Sequence, residues 1–276
     1  MPSIREPRSR RSVRDRRRLP RFAAGLGALA LATGLAAPAT AWSPALQEAI
    51  AADAARLAPP DLARQLNRHA DALAAGAREP FGEGRPERHY RHADGRGELD
   101  AAIAEEIAGA IDAIRERQPF AEIARRFGRI AHWTGDLANP LNAAESDPEE
   151  RRYFRDFLAY VESAKPRFAV VVYEQRPPLA SAADVERLVA EALARGRAWY
   201  PAVGKEYRRI DFGVGSRRFD DRSTAFGLAS IAYSSAVTDA ARLYRHIWIA
   251  AGGADPRPVF ARSRDRVLLL DQGGAP

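Results

Sequence analysis

From Leu46 onward the apolar residues recur at intervals of three and four, and this period constrains the fold more than any other feature. Leu99, Ile103, Ile107, Ile111 and Ile114 form the clearest stripe. Ile123, Phe127, Ile130 and Leu137 form another, which stops at Pro140, where a helix would lose a backbone donor. Leu46, Ile50 and Leu57 mark a helix closed by Pro59-Pro60, and Leu62, Leu66, His69 and Leu73 mark one ending near Gly76. A further helix is expected from about Asp156 through Val161. Ser181 reads as the N-cap of another running to about Arg197, and a last long one spans Ser223 to Trp248. Residues 77–97 are rich in Gly, Pro and charge and read as loop. "FAVVVY" (168–173) and "RVLLL" (266–270) have strand composition, but two isolated strands make no sheet. The expectation is an all-α protein with a single multi-helix domain.

The formal charge of +7 invites a nucleic-acid or membrane reading until its location is considered. All of it lies in residues 1–41, which hold nine arginines against Glu6 and Asp15, so residues 42–276 are net neutral. Residues 1–41 have the order of a secretory signal peptide: an arginine-rich start, an apolar run from Phe22 to Ala37, then "APATA" with small residues at Ala39 and Ala41. Cleavage near Ala41 makes Trp42 the first residue of an exported, periplasmic or secreted, chain. The domain expected to fold is therefore 42–276. No cysteine is present, which excludes disulfides and thiolate metal sites.

"AHWTGDLANPLN" (131–142) carries the chemistry. His132 and Asp136 are one helical turn apart and project from one face, a spacing suited to gripping one metal ion. The bland alternative is a surface pair. The loop "RHYRHAD" adds His89 and His92. His69, on an apolar stripe, reads as a core or rim histidine, His92 as solvated, and His246, near the end of the last long helix, as a helix-end cation. "DFGVG" (211–215) has no accompanying phosphate loop and reads as chance.

Trp42, the "HYxxxD" loop and "HWTGDLANPL" together resemble the zinc-dependent phospholipase C and single-strand-specific nuclease superfamily. That resemblance implies its all-α fold and a zinc-dependent phosphodiester hydrolase. His89, His132 and Asp136 would hold one zinc, with Trp42 as the N-terminal ligand of another and Glu79 as base or fourth ligand. Several ligand positions of the superfamily are lost, with Gln47, Asn142, Phe154 and Leu158 standing where histidine or glutamate is wanted. The implied centre is therefore reduced to one zinc, or at most two. The implied partner is a phosphodiester or, more narrowly, a phospholipid met at a membrane surface. A nuclease is the less favoured enzyme, since the neutral charge of 42–276 offers no support for a basic groove. A different class of reading is an exported helical protein that kept the fold and lost catalysis, retaining only metal or partner binding.

Overall fold

The structure is a computed structural model that describes residues 42–145, 147–173, 178–213, 215–254 and 267–270. The leader, with its expected cleavage site, lies outside the described residues, as does the C-terminal tail from 255 onward apart from 267–270. Among the described residues there are nine α-helices and one two-stranded ribbon, so the chain is all-α in class. None of these helices is long and apolar enough to cross a membrane.

Helix α1 (Pro44–Arg56) begins where Ser43 Oγ accepts from the Leu46 amide at 3.3 Å and Pro44 occupies the first turn. The stripe expected to run from Leu62 through Leu73 is two helices, α2 (Pro60–Arg68) and α3 (Ala70–Arg78), because His69 leaves helical geometry at φ −114°, ψ 34°. The expected loop beyond Ala77 holds two 3₁₀ turns, Glu79–Gly82 and Pro86–His89. Next come α4 (Leu99–Arg115) and α5 (Phe120–Ala138). Pro140 ends α5 and opens the short α6 (Pro140–Ala143), with Asn139 Oδ1 capping the Leu141 amide at 3.1 Å. Helix α7 (Glu150–Ala164) starts six residues earlier than the sequence pattern indicated. Ser181 and Asp184 form a reciprocal capping box at the start of α8 (Ala182–Arg209), which continues through Pro201 well beyond Arg197. Ser223 caps α9 (Thr224–Ala250).

The two apolar tetrads, expected to stay unpaired, find each other across the chain. β1 (Val170–Tyr173) runs antiparallel to β2 (Val267–Leu270), from Val170 opposite Leu270 to Tyr173 opposite Val267. Ser234 Oγ of α9 accepts the Val171 amide at 3.2 Å and fastens the ribbon to the helices.

Helix α5 lies at the centre, packed against α1, α3, α4 and α9. Every residue from Ile130 to Ala138 is buried, so its second half is enclosed on all sides. This enclosure carries three polar side chains, His132, Thr134 and Asp136, into the core, where each needs a partner to offset lost hydration. Thr134 Oγ1 donates to the Ile130 carbonyl at 2.6 Å, within the helix itself. The contact of α3 with α5 is backbone against backbone. A methyl group on Gly128 would sit 2.1 Å from the Leu73 carbonyl oxygen, and one on Gly76 2.0 Å from that of Arg125. Only glycine permits this approach, and it places the end of α3 directly on the functional half of α5.

Candidate metal centre

His132 and Asp136 occupy successive turns of α5, and His89 arrives from the 3₁₀ turn that precedes Tyr90. The three side chains are brought together with one potential ligand atom of each within 4.8 Å of the others. His89 Nδ1 lies 2.7 Å from Asp136 Oδ2, His132 Nε2 lies 3.2 Å from the same oxygen, and the two ring nitrogens are 3.3 Å apart. His132 and Asp136 are fully buried and His89 nearly so.

The outer contacts determine what this group can bind. His132 Nδ1 is 2.8 Å from the carbonyl oxygen of Ala77, which can only accept, so Nδ1 carries the proton. In the neutral ring, Nε2 then presents its lone pair to Asp136 Oδ2 and His89 Nδ1. Three electron-rich atoms converge where a single proton or a cation must sit between them. Separations of 3.2 and 3.3 Å match the edge, about 3.3 Å, of a tetrahedron whose metal–ligand bonds are about 2.0 Å. The shorter 2.7 Å separation is a hydrogen bond from His89, whose proton a metal would replace. The donor set therefore fits a zinc-like cation.

Burial disfavours the charged form of His89, yet the adjacent Asp136 carboxylate outweighs it and raises the His89 pKa. For Asp136, burial pushes the pKa upward, but His132 and His89 prevail and hold it below the usual carboxylate range. The other oxygen of Asp136 accepts a hydrogen bond from Gln47 Nε2 at 3.1 Å. Gln47 thus stands beside the group as an orienting amide, and its Oε1 is buried without a hydrogen-bond partner, packed on Gly135. Phe81, one of the few exposed large apolar residues, lays its ring edge-on to His132 at 4.6 Å and parallel to His89 at 6.4 Å. Trp133 closes the opposite flank, 5.1 Å from each imidazole.

The remaining candidates fall elsewhere. Glu79, expected as base or fourth ligand, is not drawn into the group: its two oxygens bind Arg125 at 2.8 Å and Arg129 at 2.6 Å. Burial would raise its pKa, but these guanidinium groups outweigh it and lower it, the wrong direction for a base at neutral pH. Trp42 is buried at the foot of α1, and its indole Nε1 has no hydrogen-bond partner. Asn142 uses its amide locally, donating to the Asp136 carbonyl at 3.3 Å and accepting from Asn139 at 3.4 Å. Phe154 and Leu158, on α7, offer no donor atoms.

One histidine expectation needs correction. His92 is buried rather than solvated, with its ring 4.5 Å from that of Tyr90. His246 lies near the end of α9, as expected, and its buried Nδ1 donates to the Leu179 carbonyl at 2.9 Å. His69 sits half-buried against Phe120, at 5.6 Å between ring centres, in keeping with a rim position. Gln47 stood out only through the resemblance, and nothing local marks the Ala77 carbonyl as a partner, because both contacts join distant segments. The glycines at 76 and 128 were the available signal, marking where two helices touch.

No protein-family model matches the sequence, and no curated protein matches it. Among solved structures the fold is similar to that of alpha-toxin from Clostridium perfringens, isolated from avian strain SWCP. The likeness has a TM-score of 0.51 at 12% identity and covers 79% of this chain and 66% of that one. At that identity it speaks for a shared all-α fold, and the function rests on the site itself.

Proposed function

We propose that the chain is a metal-dependent hydrolase of phosphodiester bonds, phospholipase C-like, with one zinc held by His89, His132 and Asp136. The observation that carries this reading is the convergence of three donor atoms, with the His132 lone pair aimed inward by the Ala77 carbonyl. A zinc held there would supply Lewis acidity and lower the pKa of bound water toward ~7. The protein's own groups have separate tasks. Ala77 fixes the His132 tautomer, Gln47 orients the Asp136 carboxylate, and Trp133 and Phe81 wall the two imidazoles. Export with cleavage near Ala41, which makes Trp42 the N-terminal residue, is part of the same proposal.

One observation favours a second reading, metal binding without catalysis. Catalytic zinc sites keep a position open to substrate, whereas His132 and Asp136 have no exposed surface and Phe81 covers both rings. Metal content and turnover separate the two. The purified protein and a His132→Ala variant are analysed for zinc and assayed with bis(4-nitrophenyl) phosphate. Zinc near one per chain, with hydrolysis lost in the variant and on chelation, supports the hydrolase. Zinc without hydrolysis leaves the binding protein, and no zinc after supplementation defeats both.

A further inference from the structure

A cleft of about 600 Å³ opens between α6 and the first turns of α7, and none of the three metal-centre side chains lines it. Its apolar wall is Tyr90, Leu141 and Phe154. Arg151 and Arg155 stand one turn apart on α7, flanking Phe154 on the same helix face. Both are exposed, and neither forms a hydrogen bond or ion pair among the described residues. We propose that this cleft binds a phosphate ester on an apolar body, the Arg151 and Arg155 guanidinium groups holding the phosphate and Tyr90, Leu141 and Phe154 the apolar part. It goes beyond the hydrolase reading and does not rest on it, because the guanidinium groups hold the phosphate apart from the metal centre and binding does not require the metal.

The charge balance of the cleft supports an anion. Glu145 is answered by Arg96 at 3.3 Å. Glu150 accepts a hydrogen bond from the Tyr200 hydroxyl, and burial pushes its pKa up to about 7, so a large share of it is uncharged near neutrality. The unanswered charges are the two guanidinium groups, whose forked donors match phosphate oxygens. His92 adds a second, independent sign of a missing partner. It lines the cleft, is nine-tenths buried, and its Nδ1 makes no hydrogen bond. The carboxylate of Glu145, 3.6 Å away, is beyond hydrogen-bond reach of it.

Phenylphosphonate, which has the required ring and dianion and resists hydrolysis, is titrated calorimetrically into the protein as purified and after chelation. The proposal expects binding in both states, weakened at least tenfold by Arg151→Gln/Arg155→Gln. Phe154→Ala should weaken phenylphosphonate while leaving inorganic phosphate unchanged. Vesicles of phosphatidic acid in phosphatidylcholine separate the two natural sources of such a group. Arginine-dependent sedimentation identifies a lipid headgroup; no sedimentation beside arginine-dependent phenylphosphonate binding identifies a soluble ester. Equal affinity in the double variant, with its thermal unfolding unchanged, overturns the proposal. Binding lost on chelation also overturns it, since the anion would then sit on the metal. Arginine-dependent binding in a protein without zinc or hydrolysis leaves this inference standing and defeats the hydrolase reading instead.

Discussion

Replacing Asp136 by asparagine tests the metal centre through stability as well as chemistry. The amide keeps the shape of the carboxylate and can still accept from Gln47 Nε2, so the packing of α5 is preserved. It removes the charge that balances a cation and the strong acceptor facing His89 Nδ1 at 2.7 Å. A ligand that binds only the folded state at about 1,000 times its Kd stabilises it by about 4 kcal/mol. In a domain of this size each kcal/mol moves Tm by about 2–4 °C, so saturating zinc should raise the wild-type Tm by about 8–16 °C over the chelated protein. The Asp136→Asn protein should gain less than about 2 °C from zinc. Its chelated form should also melt lower than chelated wild type, since a buried charge-assisted hydrogen bond is worth about 1–3 kcal/mol. Calorimetric melting with zinc or chelator checks all three values. A wild-type Tm indifferent to zinc, or an equal gain in the variant, would refute the argument that these atoms converge on a cation.

Three further outcomes are expected. Gln47→Ala removes the amide that orients Asp136 and should weaken zinc about 10–100-fold, read by competition with a chromophoric chelator, while the metal-free fold persists. Gly128→Ala should destabilise by about 1–3 kcal/mol or more in denaturant melts, because its methyl meets the Leu73 carbonyl at 2.1 Å. It should also weaken zinc, by moving Ala77 away from His132. Glu150 is an acid whose folded pKa, about 7, stands above its ordinary 4.5. The unfolded chain therefore releases this proton first, and folding is penalised progressively as pH rises between those values. Glu150→Gln should accordingly be the more stable protein at pH 8, by about 1–2 kcal/mol after allowance for solvent screening, with no advantage at pH 4.

The periodic part of this fold could be read from sequence because burial on one helical face leaves a spacing. The stripes over Leu99–Ile114 and Ile123–Leu137 became α4 and α5. What lacked a local signature was missed. His69 preserves the apolar spacing while breaking the helix, so one stripe concealed two elements. The helix expected to end near Arg197 continues through Pro201 to Arg209 in α8. The pairing of β1 with β2 depends on segments far apart, and neither announces its partner. For the site, His89, His132 and Asp136 were visible as residue types at ligand spacing. Their orientation was not, because it comes from Ala77 and Gln47 on other helices. Glu79 was implied by the resemblance alone, and only packing reveals the two arginines that hold it.

The hydrogen bond from His132 to Ala77 ends on a main-chain atom, and this has a consequence for how the site withstands mutation. Most polar partners vanish when the codon for one side chain changes. A carbonyl survives a change of side chain at its own position, so a substitution small enough for the fully buried site of Ala77, such as serine, keeps the imidazole held. Vulnerability moves instead to Gly76 and Gly128, where any added carbon separates the helices. A mutational scan scored on zinc retention would therefore find small residues accepted at 77, larger ones rejected there by overpacking, and sensitivity at two glycines that touch no ligand.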